Sequence, residues 1–487
     1  MQAITQYIIN IKASSFFVDT LSHFKNYLST SIATRALSFI SIPVITRLLS
    51  PDDYGIYNVF LSYIGLCTVI LTLNLHASVG RYFYEEKDDF NSFFGTSLVL
   101  TSIQFGIGII VFISFRNLIS SWFALPISMI LAMPLVILAS LIYNLYSQLF
   151  QALKESKKIA VITIWQAYLI FLVGIAIVLL LSRNRYMGLI WGQVIVGLAF
   201  STYLAIQIRP YIKWKFDKKH LKYIFSYSIP LIPYTLSSII LDQFDRIMIN
   251  HYNGSESAGL YSFSYNIGML LNIFSGALYQ AWMPNYFEFM KKKDFSSLDL
   301  NADRMFRIVL AGAAFLIFFG QDIGKLLASR DYHSSLHIVP IIVLGYVFYA
   351  IFPLYAWSMG YAIKTFWASF IVLFSGSVNI LLNRIFIPQY GYEAAAYTTL
   401  ASFIIMAFFA WFANRFILHL YTTPLSIILK PLGILLSFFL AITMLQMFIT
   451  SAAFLFLIKM MLMAGAVYAL FRKFLHVSPG QTSDSKQ

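Results

Sequence analysis

The chain has 487 residues, of which 59% are hydrophobic and 11% are charged, against roughly 25% charged residues in an ordinary soluble domain. This composition excludes a soluble enzyme or binding module and predicts an integral membrane protein. The net charge of +14 does not indicate a nucleic-acid partner, because the basic runs 213–222 and 291–293 lie between apolar spans. Loop orientation and contact with anionic membrane lipids account for such runs.

Residues 1–24 lack the basic start, apolar centre and small-residue cleavage site of a signal peptide, so we expect them to remain as a cytoplasmic segment. After them the sequence predicts fourteen spans of about 20 apolar residues, long enough for helices that cross a ~30 Å hydrocarbon core. The runs are too long for β-barrel strands, so we predict an all-α polytopic membrane protein. The predicted spans are 27–49, 55–78, 92–114, 127–151, 158–181, 187–207, 223–249, 258–282, 305–327, 336–360, 365–386, 393–413, 424–447 and 452–471.

The first span carries an arginine in the middle of an apolar segment. Arg35 lies on a stripe of hydroxyl side chains at helical spacing, which includes Ser31 and Ser38. An arginine at mid-bilayer costs at least about 2.5–3.5 kcal/mol on insertion scales, so it normally faces a partner or a water-filled cavity. Arg35 is therefore either part of a structural ion pair or snorkels to the interface, or it forms an anion site in a cavity. We favour the anion site.

The second span shows another polar face, because Asn58, Ser62, Gly65, Thr72 and His76 recur at steps of three, four and seven residues. Small and polar residues of this kind also serve plain helix packing in membranes. The face is predicted either to line a cavity, with Asn58 and His76 as ligand candidates, or to pack against a neighbouring helix.

The seventh span contains three charged residues near its outer end: Asp242, Asp245 and Arg246. Asp242 and Arg246 are four residues apart, which is the spacing of a salt bridge on a helix. One interpretation is a structural salt bridge near the outer mouth. The other is an outer gate, or a proton or cation site that acts together with Arg35.

Amide side chains and one deep lysine complete the set of binding candidates. Asn266, Asn272 and Gln280 lie among tyrosines in the eighth span, and such a lining suits hydroxyl-rich ligands. Lys459 lies about midway through the fourteenth span. A lysine there either snorkels to the interface or contacts the ligand.

Lysine and arginine concentrate in alternate loops. Most of the 34 such residues fall in loops that are cytoplasmic if the N-terminus is cytoplasmic, so the positive-inside rule places both termini in the cytoplasm. The longest breaks, around 208–222 and 286–304, are too short to fold as a separate catalytic domain.

An internal repeat relates the two halves of the chain at an offset of 204 residues. Gly55-Ile56-Tyr57 aligns with Gly259-Leu260-Tyr261, and Tyr82-Phe83 aligns with Tyr286-Phe287. Two six-helix halves in the same orientation are typical of transporters that rock around a central cavity. The predicted domains are a cytoplasmic segment at 1–24, an N-lobe at 25–210, a C-lobe at 211–415, an added helix pair at 416–473 and a cytoplasmic tail at 474–487.

Several catalytic signatures are missing from the sequence. The stretch GQDIGKL at 320–326 has the wrong spacing for a P-loop, and no H-E-x-x-H motif occurs. Cys67 is the only cysteine, so neither a disulfide framework nor a cysteine metal site is available. We therefore expect no cofactor and no metal, and we expect transport rather than catalysis.

Four stretches carry a family resemblance: RALSFISIPVITRLLSPDDYGIYNVF, SIPLIPYTLSSIILDQFDRIMI, SESAGLYSFSYNIG and NILLNRIFIPQYGYEAAAYTTLASF. Together they resemble the bacterial polysaccharide transporter family. That family belongs to the superfamily that also holds the multidrug and toxic-compound exporters and the lipid II flippases. The resemblance extends over nearly the full chain.

The resemblance implies a Wzx-type flippase of the bacterial inner membrane. Such a protein moves an undecaprenyl-pyrophosphate-linked oligosaccharide to the outer leaflet for O-antigen or capsule assembly, by alternating access of two six-helix lobes. We expect Arg35 to bind the pyrophosphate, and Lys459 with the last two spans to guide the polyprenyl tail. The polymerase and chain-length regulator of the same pathway are implied partners. A cation-coupled drug or small-molecule antiporter and a multispan polysaccharide polymerase are the alternatives.

Overall fold

The computed structural model describes residue 37 and residues 40–214, 216–449 and 451–475. Every regular element within these ranges is a helix, which confirms the all-α prediction. The chain divides into two compact units, and the boundary between Ile239 and Ile240 falls inside one helix.

The first unit contains nine helices in the described ranges and the start of a tenth. Helix α1 covers residues 40–48. The others are α2 (Pro51–Thr72), α3 (Ser78–Glu85), α4 (Phe90–Ser114), α5 (Arg116–Phe123), α6 (Ile127–Ala152), α7 (Ser156–Leu180), α8 (Tyr186–Ile208), α9 (Lys218–Ser228) and α10 (Leu231–Asn253), which continues into the second unit.

The second unit contains the rest of α10 and the elements that follow it. These are α11 (Ser255–Gly268), α12 (Leu270–Lys292), α13 (Phe295–Leu327), a 3-10 segment (Arg330–Ile338), α14 (Val339–Tyr349), α15 (Phe352–Tyr361), α16 (Thr365–Tyr390), α17 (Tyr392–Phe412), a π-helical turn (Ala413–Ile417), α18 (Leu425–Phe448) and α19 (Ala452–Leu475). The pair α18 and α19 packs against α13.

Twelve helical stretches in the described ranges are long and apolar enough to cross a membrane. They coincide with the predicted spans two to seven and nine to fourteen. The first predicted span, 27–49, lies mostly outside the described residues. The protein is therefore a polytopic membrane protein.

The eighth predicted span is not a single helix. The regular helix is interrupted at one residue, Met269, which separates α11 from α12. Met269 keeps right-handed helical angles, and i to i−4 hydrogen bonds continue on both sides of it, so α11 and α12 form one interrupted helical run from Ser255 to Lys292. The amides, serines and tyrosines that suggested a polar lining also make this stretch less apolar than the other spans.

The internal repeat is visible in the positions at which helices begin. Helix α2 begins at Pro51 and α11 at Ser255, which are 204 residues apart. In α2 the Ser50 side chain accepts a hydrogen bond from the Asp53 amide, so a serine cap and a proline at the first position fix the start. Helices α8 and α17 begin at Tyr186 and Tyr392, at an offset of 206.

Glycines bring α7 and α8 of the first unit into direct contact. A Cβ added to Gly192 would lie 2.6 Å from the Gly174 Cα, and one added to Gly188 would lie 2.6 Å from the Val178 backbone nitrogen. Close backbone approach through small residues is a common way to pack helices in membranes. At the offset of 206, the second unit has Ala394 and Thr398 in place of Gly188 and Gly192.

Candidate functional site

A buried carboxylate lies on α10 in the second unit. Asp245 is 3% exposed, and its oxygens accept three hydrogen bonds. The hydroxyls of Tyr261 on α11 and Thr399 on α17 both donate to Oδ2 at 2.7 Å. The Asn383 Nδ2 atom on α16 donates to Oδ1 at 2.6 Å. Four helices of this unit therefore meet at one carboxylate.

A second layer of amide and hydroxyl groups fixes the orientation of these donors. Asn383 Nδ2 also donates to Asn379 Oδ1 at 3.1 Å, and Asn383 Oδ1 accepts from the Thr398 hydroxyl. Asn379 Nδ2 donates to Thr399 Oγ1 at 3.2 Å. Both asparagines are fully buried. We call Asp245, Tyr261, Asn379, Asn383, Thr398 and Thr399 the Asp245 network.

Arg246 follows Asp245 in the sequence, but its guanidinium donates to other residues. Its Nη1 atom donates to the Asp242 main-chain oxygen at 2.7 Å and to Gln243 Oε1 at 3.0 Å. Its guanidinium carbon lies 4.7 Å from the centre of the Tyr265 ring, a cation–π distance.

The predicted salt bridge among Asp242, Asp245 and Arg246 does not form. Among the described residues, neither carboxylate has an ion-pair partner within 4.0 Å. Arg246 uses the main-chain carbonyl of Asp242 instead of its side chain. The Asp245 carboxylate therefore has hydrogen-bond donors around it but no cation in contact.

The chemistry of this donor set suits a small hard cation or a proton. Carboxylate and hydroxyl oxygens are ligands that hard cations prefer, and the Tyr261 and Thr399 hydroxyls can rotate to present their oxygens, whereas Asn383 presents its amide nitrogen. The described residues contain no group of three or more His, Cys, Asp or Glu side chains that could hold a metal ion. A single buried carboxylate can take up one positive charge and release it.

The structure describes the predicted binding residues of the second span but not those of the first. Arg35, Ser31 and Ser38 lie outside the described residues. Asn58 is buried, and its Nδ2 donates to the Tyr54 carbonyl of its own helix at 2.8 Å.

His76 does not share a helix face with Asn58. Helix α2 ends at Thr72, and Leu73 and Asn74 both adopt left-handed backbone angles, with φ of 48° and 52°. His76 lies in the short 3-10 turn that follows. The predicted polar face of the second span is therefore wrong beyond Thr72. The His76 Nδ1 atom is buried and has no hydrogen-bond partner among the described residues.

The three amides of the eighth predicted span lie on two helices. Asn266 is on α11, whereas Asn272 and Gln280 are on α12, beyond the interruption at Met269. Asn266 and Asn272 are half-buried and Gln280 is exposed. Gln280 is thus accessible, while Asn266 lies before the interruption at Met269.

Lys459 has a protein partner that the sequence did not suggest. It is 3% exposed, and its Nζ lies 2.5 Å from Asp322 Oδ2 on α13. The Asp322 side chain is 42% exposed. The deep lysine therefore connects α19 to α13 through an ion pair with one buried and one accessible member.

Removal of Asp322 should destabilise the protein more than removal of Lys459, because only the lysine is buried. Asp322→Asn leaves an ammonium buried without a countercharge, and we expect it to lower the free energy of unfolding by about 2 kcal/mol. Lys459→Met leaves a carboxylate that is partly accessible, and we expect a loss of about 0.5 kcal/mol or less. Thermal unfolding in detergent measures both, with Lys430→Met on an exposed position of α18 as the control. Equal losses from the two variants would contradict this asymmetry.

A second charge cluster ties α19 to α13. Arg307 Nε lies 2.6 Å from Asp303 Oδ1, and its Nη1 donates to the Leu470 carbonyl at 2.5 Å. Lys473 Nζ lies 3.2 Å from Asp303 Oδ2. Asp303 and Arg307 are both buried. The last helix is thus attached to α13 by two separate ion-pair sites.

The sequence reasoning missed most of the Asp245 network. Asn379 and Asn383 are four residues apart in an apolar span, and Thr398 and Thr399 lie in the next span. The rule that drew attention to Arg35, that polar groups inside a membrane are functional candidates, applies equally to them.

Comparison with known proteins gives concordant results. The sequence profile of the family described as "Polysaccharide biosynthesis protein" matches residues 25–290, more than half of the chain. Protein 1 of the Lsg locus of Haemophilus influenzae is 24% identical over 347 residues, which are 66% of this chain and 83% of that protein.

Two solved structures show the fold. One is lipid II flippase MurJ in an inward closed conformation, with a TM-score of 0.68 and 16% identity, covering 93% of this chain and 100% of that chain. The other is an inward-facing multidrug resistance transporter of the MATE family and MOP superfamily, with a TM-score of 0.63 and 13% identity, covering 79% and 94%. The chain therefore has the fold of MOP-superfamily transporters.

Proposed function

Since the chain belongs to the polysaccharide biosynthesis protein family, whose members are transporters and not enzymes, we propose that it flips a lipid-linked oligosaccharide across the bacterial inner membrane. The cargo is an undecaprenyl-pyrophosphate-linked repeat unit, delivered to the outer leaflet for O-antigen or capsule synthesis. The fold is shared with a flippase of lipid II, which supports a lipid-linked cargo. Both termini are proposed to be cytoplasmic.

The observation that carries this proposal is the Asp245 network, because the fold does not require it. The internal repeat provides the test, since both units contain the same pair of adjacent helices. The residues 206 positions before Asn379, Asn383 and Thr398 are Val173, Ile177 and Gly192. The first unit packs these helices through glycine contacts. A polar group in the second unit is therefore a specialised feature, and polar groups inside membrane proteins are typically functional.

Charge balance at Asp245 supports a role in coupling. Three hydrogen bonds offset part of the cost of burying the Asp245 carboxylate, and binding of a proton or a cation would remove its net charge. Its partners lie on α11, α16 and α17, so uptake of a positive charge changes the hydrogen bonds of four helices at once. A ligand shifts a conformational equilibrium by its differential affinity for the two states. Asp245 is thus proposed as the coupling acid, and Asp242 and Arg246 as its neighbours in the gate.

The cargo-binding candidates remain those of the sequence. Arg35 is proposed to bind the pyrophosphate, since a guanidinium binds phosphate through a fork of donors and stays charged. Gln280 is exposed on α12 and suits a sugar hydroxyl. Lys459 is no longer a first choice for the lipid tail, because its ammonium is paired with Asp322.

The test is mass spectrometry of polyprenyl-linked oligosaccharides extracted from cells that lack the protein. We expect complete repeat units to accumulate, and wild-type protein to clear them. Arg35→Ala at the same membrane level should fail to clear them, whereas Arg183→Ala, an exposed arginine of the loop between α7 and α8, should succeed. Absence of accumulated repeat units in the deletion strain would overturn the proposed cargo.

A further inference from the structure

One cavity of the first unit is not used in the proposed transport cycle. It is a groove of about 780 Å³ between α4, α6 and α8. Phe105, Leu141 and Leu145 are buried in its floor, and Ala205 and Ile206 stand exposed at its edge. The lining residues on α4, α6 and α8 are apolar apart from a few serines and threonines.

The length of the groove matches one leaflet of a bilayer. Along α8 it extends from Leu198 to Ile208, eleven residues that are joined by ten steps and cover about 15 Å of helix. This is half of a ~30 Å hydrocarbon core. A single acyl chain of a phospholipid has about this length. An undecaprenyl chain is much longer than the thickness of one leaflet.

One end of the groove has a cationic and aromatic rim. After α8 the chain turns back, and the Lys213 amide donates to the Asn91 carbonyl at 3.0 Å. Arg209 and Trp214 line the groove at this end and both are exposed. The Arg209 side chain has no hydrogen bond or ion pair within the ranges that the structure covers. Tryptophan and arginine are typical of the level of lipid headgroups.

The segment that forms this rim is held firmly against α4. A Cβ on Gly95 would lie 2.1 Å from the Lys213 carbonyl oxygen, so only glycine permits this approach. Within the groove, the Thr101 hydroxyl is buried and has no hydrogen-bond partner among the described residues. The contact with α4 thus holds the rim segment in place, and the Thr101 hydroxyl in the groove wall is left without a hydrogen bond.

We propose that this groove binds an anionic phospholipid. One acyl chain lies along α8, and the phosphodiester contacts Arg209 beside Trp214. A phosphodiester carries a single negative charge, which the Arg209 guanidinium among the lining residues can neutralise. The positive-inside distribution of lysine and arginine assigns this end to the cytoplasmic leaflet. The site is separate from the Asp245 network and does not depend on the identity of the transported cargo.

The experiment is native mass spectrometry of the full chain in mild detergent with added phosphatidylglycerol or phosphatidylethanolamine. We expect preferential retention of phosphatidylglycerol. Arg209→Gln should reduce that preference by about fivefold, the effect of one arginine near an anionic lipid. Arg183→Gln, at an exposed arginine distant in sequence from the groove lining, serves as the matched control and should change nothing.

A second variant separates binding from folding. Ala205→Trp places a large side chain into the groove from its exposed edge, so it should block both lipids without disturbing the buried floor. Equal retention of the two lipids, or retention that survives Ala205→Trp, would overturn the proposal. Displacement of phosphatidylglycerol by undecaprenyl phosphate at equal concentration would also overturn it, because the occupant would then be the polyprenyl chain.

Discussion

Asp245→Asn is expected to reduce flipping of the lipid-linked oligosaccharide by about 100-fold, near the upper end of the coupling that one site normally exerts on another. Asparagine has the shape of aspartate but cannot take up a proton or neutralise a bound cation. The hydroxyls of Tyr261 and Thr399 can rotate to accept as well as donate, so the network retains partners. The protein should therefore fold and reach the membrane at the wild-type level.

The measurement is flipping in proteoliposomes under an imposed pH gradient and, separately, an imposed sodium gradient. Wild-type protein should respond to one of these gradients, and Asp245→Asn should respond to neither. Asp331→Asn, an exposed aspartate of the same unit, is the matched control and should behave as wild type. Gradient-dependent flipping by Asp245→Asn at the normal rate would remove this carboxylate from the mechanism.

The spans were predictable because crossing a membrane is a local requirement. A run of about 20 apolar residues is needed wherever a helix crosses, and twelve such helices lie where hydropathy placed them. The interruption at Met269 and the end of α2 were not predictable in this way. Leu73 and Asn74 adopt left-handed angles without the glycine or proline that usually announces a break.

The candidate site was predictable only in part, because its contacts are distant in sequence. Asp245 was identified as an unusual charge inside a span, but the i, i+4 rule suggested a salt bridge among its helical neighbours. The structure instead joins Asp245 to Asn383, 138 residues away. Lys459 is similar, since its depth was recognised while its partner Asp322 lies 137 residues away. Periodicity shows which residues share one side of a helix. It does not show which residues of other helices contact that side.

The two attachments of α19 to α13 have different energetic character. Lys459 pairs with a carboxylate that is partly accessible, whereas Asp303 and Arg307 are both buried. Removing one member of a buried pair leaves an uncompensated charge, which typically costs 3–5 kcal/mol, while replacing both members by apolar residues is often nearly neutral. The second attachment should therefore show strong coupling between its members.

Asp303→Leu is accordingly expected to lower the free energy of unfolding by about 4 kcal/mol. It leaves the Arg307 guanidinium buried without its carboxylate partner, and it removes the ion pair between Asp303 and Lys473 of α19. The double variant Asp303→Leu with Arg307→Met should recover most of that loss, because no buried charge remains. Thermal unfolding of the two variants in detergent provides the comparison. If the double variant is as unstable as Asp303→Leu alone, packing around Asp303, and not the buried charge, holds the last helix to α13.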